Sequence, residues 1–518
     1  MMKNRDRFLL SVLFAILFIL VHGYQFNNGD QEEHLPYVYK LIDSSLYQND
    51  YLVPLQTSQF TVRFYFAHLI RVCAYLMPVS AVVFLLYFIC LSMIGWTVSA
   101  ISERISKNPL SAIIAPLLIV LFNNFTVGGN SIIDVQLTCT VLSIALGALA
   151  FSTFSKGKMY YAFALCGLAS LFQLLAGFHL VVLLIISSFL IANKNRWTNS
   201  IKYFFIYLLF AGPMLFPMLY SQFGISSNMD EENYFNILFY FRASHHYNPS
   251  CFPLMDYFKT ILWWSLILLS IRYGIKRQQL QNFKVLIILS TIGCFVYFIG
   301  FSGMHLTAVA KSQWFKTTIW PTLFGVIPVS LFLSEKIKFL PITSYFKYLR
   351  IVFSCFIIIA TFVIFNSSWL PYNKLKYRYK LGNYPQKDLE KMHHWIAQNS
   401  PINALFLSLP EDDSFLCEAK RSTIIGYKGV IHQPDFMIPW YDKMKNVYGV
   451  ELSDQKCRKL LDEAKSKYHF RSDRAIQTKE KINYRILDLN QIDSNHINWN
   501  QLIHREGPIL LMNFSQEK

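Results

Sequence analysis

The sequence predicts a polytopic α-helical membrane protein of about 11 transmembrane helices with a C-terminal extracytoplasmic α/β domain. Three observations predict it. The 518 residues are 53% hydrophobic and only 15% charged, with a mean hydropathy of +0.32. That is too apolar for a soluble enzyme and too charged for membrane spans alone. The apolar residues fall into serial runs of span length, and the basic residues collect on alternate loops between them.

The runs lie near 8–23, 76–98, 110–123, 135–154, 159–175, 178–193, 202–220, 260–274, 284–301, 313–333 and 349–366. The first follows Lys3, Arg5 and Arg7 and has no small-residue cleavage site after it, so it is expected to stay as a signal anchor. With a cytoplasmic N-terminus, the inner loops carry Arg104 and Lys107; Lys156 and Lys158; Lys194, Arg196 and Lys202; Arg272, Lys276, Arg277 and Lys284; and Lys336, Lys338, Lys347 and Arg350. Only Glu103 and Glu335 interrupt this bias. The net charge of +17 is therefore largely a matter of topology and gives no reason to invoke nucleic acid.

The transmembrane domain is expected over 1–366, with long outer loops at 24–75 and 221–259, and the extracytoplasmic domain over 367–518. The first outer loop opens with Gly29-Asp30-Gln31-Glu32-Glu33-His34-Leu35-Pro36-Tyr37, three carboxylates and an imidazole at the edge of a span. Apolar and aromatic residues at helical spacing through Asp43 predict an amphipathic helix lying in the membrane interface. Arg63, His68 and Arg71 follow in a second amphipathic stretch, where snorkelling basic residues are the plain alternative to a functional role.

In the second outer loop, Arg242 precedes His245 and His246 by three and four residues. That spacing predicts one helical face able to hold an anion, with a structural role or a metal as the alternatives. Lys311 and Lys316 near the outer end of the tenth run lie about 140° apart on one ideal helix, so they are not expected to share a face. Beyond the last run, Asp388–Pro401 predicts a helix stopped before the proline, and Ala404–Ser408 a buried strand. Further strands are expected over Lys420–Lys428, Tyr484–Leu489 and Pro508–Phe514, with a helix over Asp454–Lys467. There is no CxxC, P-loop, HExxH or G-x-S-x-G, and no cysteine pairing can be deduced.

The layout, and the segments Asn28–Pro36, Arg242–His246 and Trp395–Pro401, resemble the C-type (GT-C) membrane glycosyltransferases, and more closely a bacterial branch of GT-C-like proteins. Here Asp-Gln-Glu-Glu stands where those enzymes usually carry adjacent Asp-Glu. The resemblance implies transfer of a sugar from a polyprenyl-phosphate donor, held by membrane lipid, to a glycan, lipid or protein acceptor outside a bacterial inner membrane. It implies Asp30 as general base, with Glu32 or Glu33 orienting it. Arg242, His245, His246, Lys311 and Lys316 are the implied phosphate ligands, with His34 and Arg63 as further candidates. It leaves room for a divalent cation, magnesium or manganese, on Asp30 and Glu33. Two other readings compete: a lipid-linked saccharide flippase, which the scarcity of acids inside the spans weakens only if transport is proton-coupled, and a non-catalytic scaffold that binds surface glycan.

Overall fold

The computed structural model describes residues 2–191, 195–223, 231–274, 280–336, 378–410, 412–449, 480–492 and 497–514. The expected span near 349–366 and the expected helix over 454–467 lie outside them. The chain forms two compact units. One comprises Met1–Gln25, Val83–Phe216 and Phe252–Tyr379, and the other Phe26–Val82, Pro217–Cys251 and Lys380–Lys518. Both long loops thus join the C-terminal third of the chain in one unit.

Among the described residues, five helices are long and apolar enough to cross a membrane: Val79–Ser106, Arg196–Tyr220, Leu254–Tyr273, Gln281–Gly303 and Thr307–Lys336. Shorter apolar helices, Pro109–Phe122, Cys139–Phe154, Met159–Phe172 and Leu174–Leu190, accompany them in the first unit. Thr307–Lys336 is almost wholly buried and forms the centre of this helical unit. Phe151 stacks on Phe324 at 3.9 Å and Phe122 on Trp263 at 4.0 Å. Gly147 faces the Trp320 ring so closely that a Cβ there would lie 2.2 Å from it. Glu103, one of the two acids that break the basic bias, is 1% exposed and pairs with Arg7 at 2.5 Å. A buried carboxylate needs such a partner.

The second unit carries a five-stranded sheet in the order Ser422–Thr423, Leu405–Leu407, Tyr484–Asp488, Ile509–Asn513, Leu502–Glu506. The first three strands are parallel and the last two antiparallel. Asp388–Asn399 packs Met392 and Ile396 against Phe406, Ile486 and Leu511. That helix starts with Asp388 and Glu390 in its first turn, where its dipole favours acids. It ends at Ser400, and Arg421 donates to the carbonyls of Ala397 and Ser400, both at 2.8 Å. Pro434–Tyr448 is bounded by Pro434 in its first turn and by Gly449 in the left-handed region, φ 70°.

Two expectations about the loops are corrected. The helix expected in the membrane interface forms, as Gln31–Ile42, but it is packed inside this unit, with Leu35 and Val38 fully buried. Its apolar face is covered by protein. Arg242 does not share a helical face with His245 and His246: a π-helical stretch, Asn236–Arg242, ends at Ala243 (φ −135°, ψ 34°) and a new turn, Ser244–Tyr247, begins.

Candidate functional site

The second unit is organised around Gln31–Ile42 and the loop Ile425–Val430. Asp30 stands exposed at the start of the helix, and its side chain makes no capping hydrogen bond. Pro36, one turn in, has no N–H to give the Glu32 carbonyl. The buried Cys417 thiol lies 3.6 Å from that oxygen, and at the same distance from the Gln31 carbonyl, and donates there instead.

Glu33 joins the motifs of the two long loops. One carboxylate oxygen lies 2.7 Å from Arg63 Nη2, and the other lies 3.8 Å from Arg242 Nη2 and accepts from the Val430 amide at 3.3 Å. All three side chains are close to nine-tenths buried. Burial pushes the Glu33 carboxyl up, but Arg63 and then Arg242 outweigh it and hold the group below the usual carboxylate range. Arg242 also donates to the Lys428 carbonyl and lies 5.2 Å over the Tyr427 ring, whose hydroxyl donates to the Phe241 and Arg242 carbonyls.

Glu32 pairs with Lys428 Nζ at 2.9 Å. Burial still raises the Glu32 carboxyl above its ordinary value, with Lys428 opposing. The Lys428 amide donates to Asp413 at 3.2 Å. Burial lifts Asp413 to about 7 against the pull of Lys428, and the negative charge of Glu32 adds to the rise. His34 is buried and held well below its ordinary value by that burial and by Arg63.

Behind Asp413 runs a second buried chain of charges. His393, fully buried, lies 2.8 Å from Asp412 and 3.2 Å from Glu418. Lys380 joins Glu418 at 2.5 Å to Glu390 at 3.0 Å. Burial disfavours the imidazolium, yet Asp412 and Glu418 outweigh it and raise His393 to about 9.

Glu32, Glu33, Asp412, Asp413 and Lys428 line a cavity of about 30 Å³, together with Asp50, Gln56, Tyr51, Leu52 and Gly429. Asp50 is fixed there by the amides of Leu52, Val53 and Thr423 at 2.9–3.0 Å. Gln56 is fully buried, and among the described residues neither its Oε1 nor its Nε2 has a hydrogen-bond partner.

Of the residues named from the sequence, the structure brings Asp30, Glu32, Glu33, His34, Arg63 and Arg242 into this one unit, with His245 and His246 just beyond Arg242. Lys311 and Lys316 belong to the helical unit. Both fall within Thr307–Lys336, but that segment is not one regular α-helix: the turn Thr307–Lys311 ends, Gln313 turns through φ 45°, and Lys316 sits in a 3-10 turn. Among the described residues, no three or more His, Cys, Asp or Glu side chains are placed to hold a metal ion. Both Glu33 oxygens are already engaged by guanidinium and amide groups.

Sequence reasoning missed Lys428, Gln56, Asp413 and the His393 network. Glycines either side of Tyr427-Lys428 were the one local hint of a backbone needing close approach. A Cβ on Gly429 would lie 2.3 Å from Leu52 Cδ2.

Fold and site together define a helical protein with helices of membrane-spanning length and a second unit built on buried ion pairs. A family model described as a domain of unknown function (DUF6798) matches residues 387–447, the stretch that carries Glu390, His393, Asp412, Asp413, Glu418 and Lys428. No curated protein matches the chain.

Proposed function

We propose that the protein is a membrane glycosyltransferase that moves a sugar from a polyprenyl-phosphate donor to an extracytoplasmic glycan, lipid or protein acceptor. The observation that carries this reading is the meeting of two distant motifs at Glu33: the acidic opening of the first outer loop and the Arg242 segment of the second, 3.8 Å apart. In the reaction, the acceptor oxygen attacks the anomeric carbon while the bond to phosphate breaks. Guanidinium and ammonium groups near the leaving phosphate would offset its charge, and a carboxylate would take the acceptor proton. Arg63, Arg242 and Lys428 supply such cations, and Glu33 fixes the position of the first two. The resemblance gives the proton to Asp30.

In this reading about 11 spans cross a bacterial inner membrane, with the N-terminus cytoplasmic and the second unit outside. Cys251, in the second outer loop, is disulfide-bonded, which suits an oxidising compartment. The test is deletion of the gene, followed by mass spectrometry of envelope glycans and of polyprenyl-linked sugars. Loss of a glycan with accumulation of a polyprenyl-phosphate sugar is the expected result. An unaltered profile of both would refute the transferase reading.

A further inference from the structure

The cavity beneath the Ile425–Val430 loop holds two chemical features that the ion pairs around it do not use. The first is the Gln56 amide. A fully buried primary amide with both polar atoms unpartnered is unfavourable unless something polar meets it, because burial has removed its water. Its NH2 group donates and its carbonyl oxygen accepts, so it can meet a hydroxyl group from either side. The second is Asp413, on the same cavity wall. Its carboxylate accepts only the Lys428 amide among the hydrogen bonds described above. Burial raises it to about 7, with Lys428 and Arg242 opposing and Glu32 and Asp412 adding to the rise, so it titrates near neutral pH. A base is most effective when it titrates near the working pH. Tyr51 and Leu52 supply an aromatic and an aliphatic wall. At about 30 Å³ the space has room for a hydroxyl or hydroxymethyl group.

We propose that this cavity is the acceptor subsite, in which the Gln56 amide holds one hydroxyl of a saccharide acceptor and Asp413 removes its proton. The inference rests on the transferase reading above and moves the role of base from Asp30 to Asp413. In the step, the acceptor oxygen forms a bond to the anomeric carbon of the polyprenyl-phosphate sugar. The bond from that carbon to the phosphate oxygen breaks, and its electron pair leaves on polyprenyl phosphate. The hydroxyl proton passes to the Asp413 carboxylate. The Lys428 amide, 3.2 Å away, holds the Asp413 carboxylate in place.

The test uses the full-length chain in the deletion strain. Asp413→Asn keeps the oxygen that accepts from the Lys428 amide but cannot take a proton, so it should reach wild-type levels in the membrane and restore less than about 1% of the missing glycan. Gln56→Leu should restore about a tenth or less, and Asp30→Asn a substantial fraction. A strain in which deletion removes no glycan refutes the transferase itself. A strain in which deletion removes a glycan and Asp413→Asn restores it refutes only this inference, as does loss in Asp30→Asn with full activity in Asp413→Asn. If Asp413→Asn fails to accumulate, the wild-type protein in nanodiscs decides the matter. Dicyclohexylcarbodiimide, which attacks protonated carboxyls, should label Asp413 at pH 6 in peptide mass spectra. An excess of mixed methyl glucoside, mannoside and N-acetylglucosaminide should slow that labelling severalfold. Labelling indifferent to the glycosides, as a cavity that takes only water would give, overturns the proposal.

Discussion

Replacing Glu33 by Gln removes one negative charge from between two guanidinium groups while keeping nearly the same shape. The Glu33, Arg63 and Arg242 side chains are 11%, 8% and 10% exposed, and the shorter contact is 2.7 Å. An exposed pair would contribute under about 1 kcal/mol, but breaking a buried pair from one side typically costs about 3–5 kcal/mol, because the remaining charges have neither partner nor water. In a unit of roughly 230 residues that corresponds to a fall in unfolding temperature on the order of 10 °C. Intrinsic tryptophan fluorescence of the detergent-solubilised full chain during heating would measure it. Adding Arg63→Met to Glu33→Gln should cost much less than the sum of the two single changes, since both remove the same interaction. A drop below about 2 °C for Glu33→Gln, or strict additivity in the double variant, would refute the view that this triad holds the loops together.

His393 gives a pH prediction with a definite sign. Its folded value, about 9, lies above the unfolded value near 6.5, so its stabilisation is complete below about pH 6.5 and lost as pH rises through 9. The loss should amount to about 3 kcal/mol, and His393→Gln should flatten that part of the unfolding profile measured from pH 6 to 10; an unchanged slope would count against the buried imidazolium. For topology, single cysteines at the exposed positions Lys158→Cys and Lys387→Cys are informative. A membrane-impermeant maleimide should reach position 387 in cells with a permeabilised outer membrane and position 158 only after lysis, and the reverse pattern would overturn the proposed orientation.

What could be read from the sequence was mostly local. The helix before Pro401, the strand Leu405–Leu407 and the strands Tyr484–Asp488 and Ile509–Asn513 appear where period, flanking proline and β-branched content placed them. Lys420–Lys428 yields only the two-residue strand Ser422–Thr423, because its second half leaves the sheet: Lys428 meets Glu32 and Arg242, and Val430 just beyond meets Glu33. Pro434–Tyr448 went unnoticed although Pro434 and Gly449 bracket it. The strand Leu502–Glu506 alternates half-buried and exposed positions and ends in His504-Arg505-Glu506, so hydropathy alone does not mark it. At the site, the acids of the first loop and Arg242 stood out as charges in apolar surroundings. Their partners did not: Lys428 lies 396 residues from Glu32, a separation at which no spacing rule operates.

The second unit draws on three separate lengths of chain, Phe26–Val82, Pro217–Cys251 and Lys380–Lys518, with helical-unit segments synthesised between them. Its assembly is therefore set by the order of synthesis. Glu32, Glu33 and Arg63 emerge early, Arg242 midway, and Lys428 near the end, so the first acids must wait for most of the chain before their last cation arrives. Because domains tend to fold as they are completed, the nascent protein passes through a long interval in which this unit cannot close. A ribosome that stalls or a frame lost before Lys380 would release a chain whose helices are all but complete and whose acidic helix still lacks the strands and lysines that bury it. Such a fragment would present a charged, half-wrapped surface to proteases, giving the cell a simple way to tell finished molecules from unfinished ones.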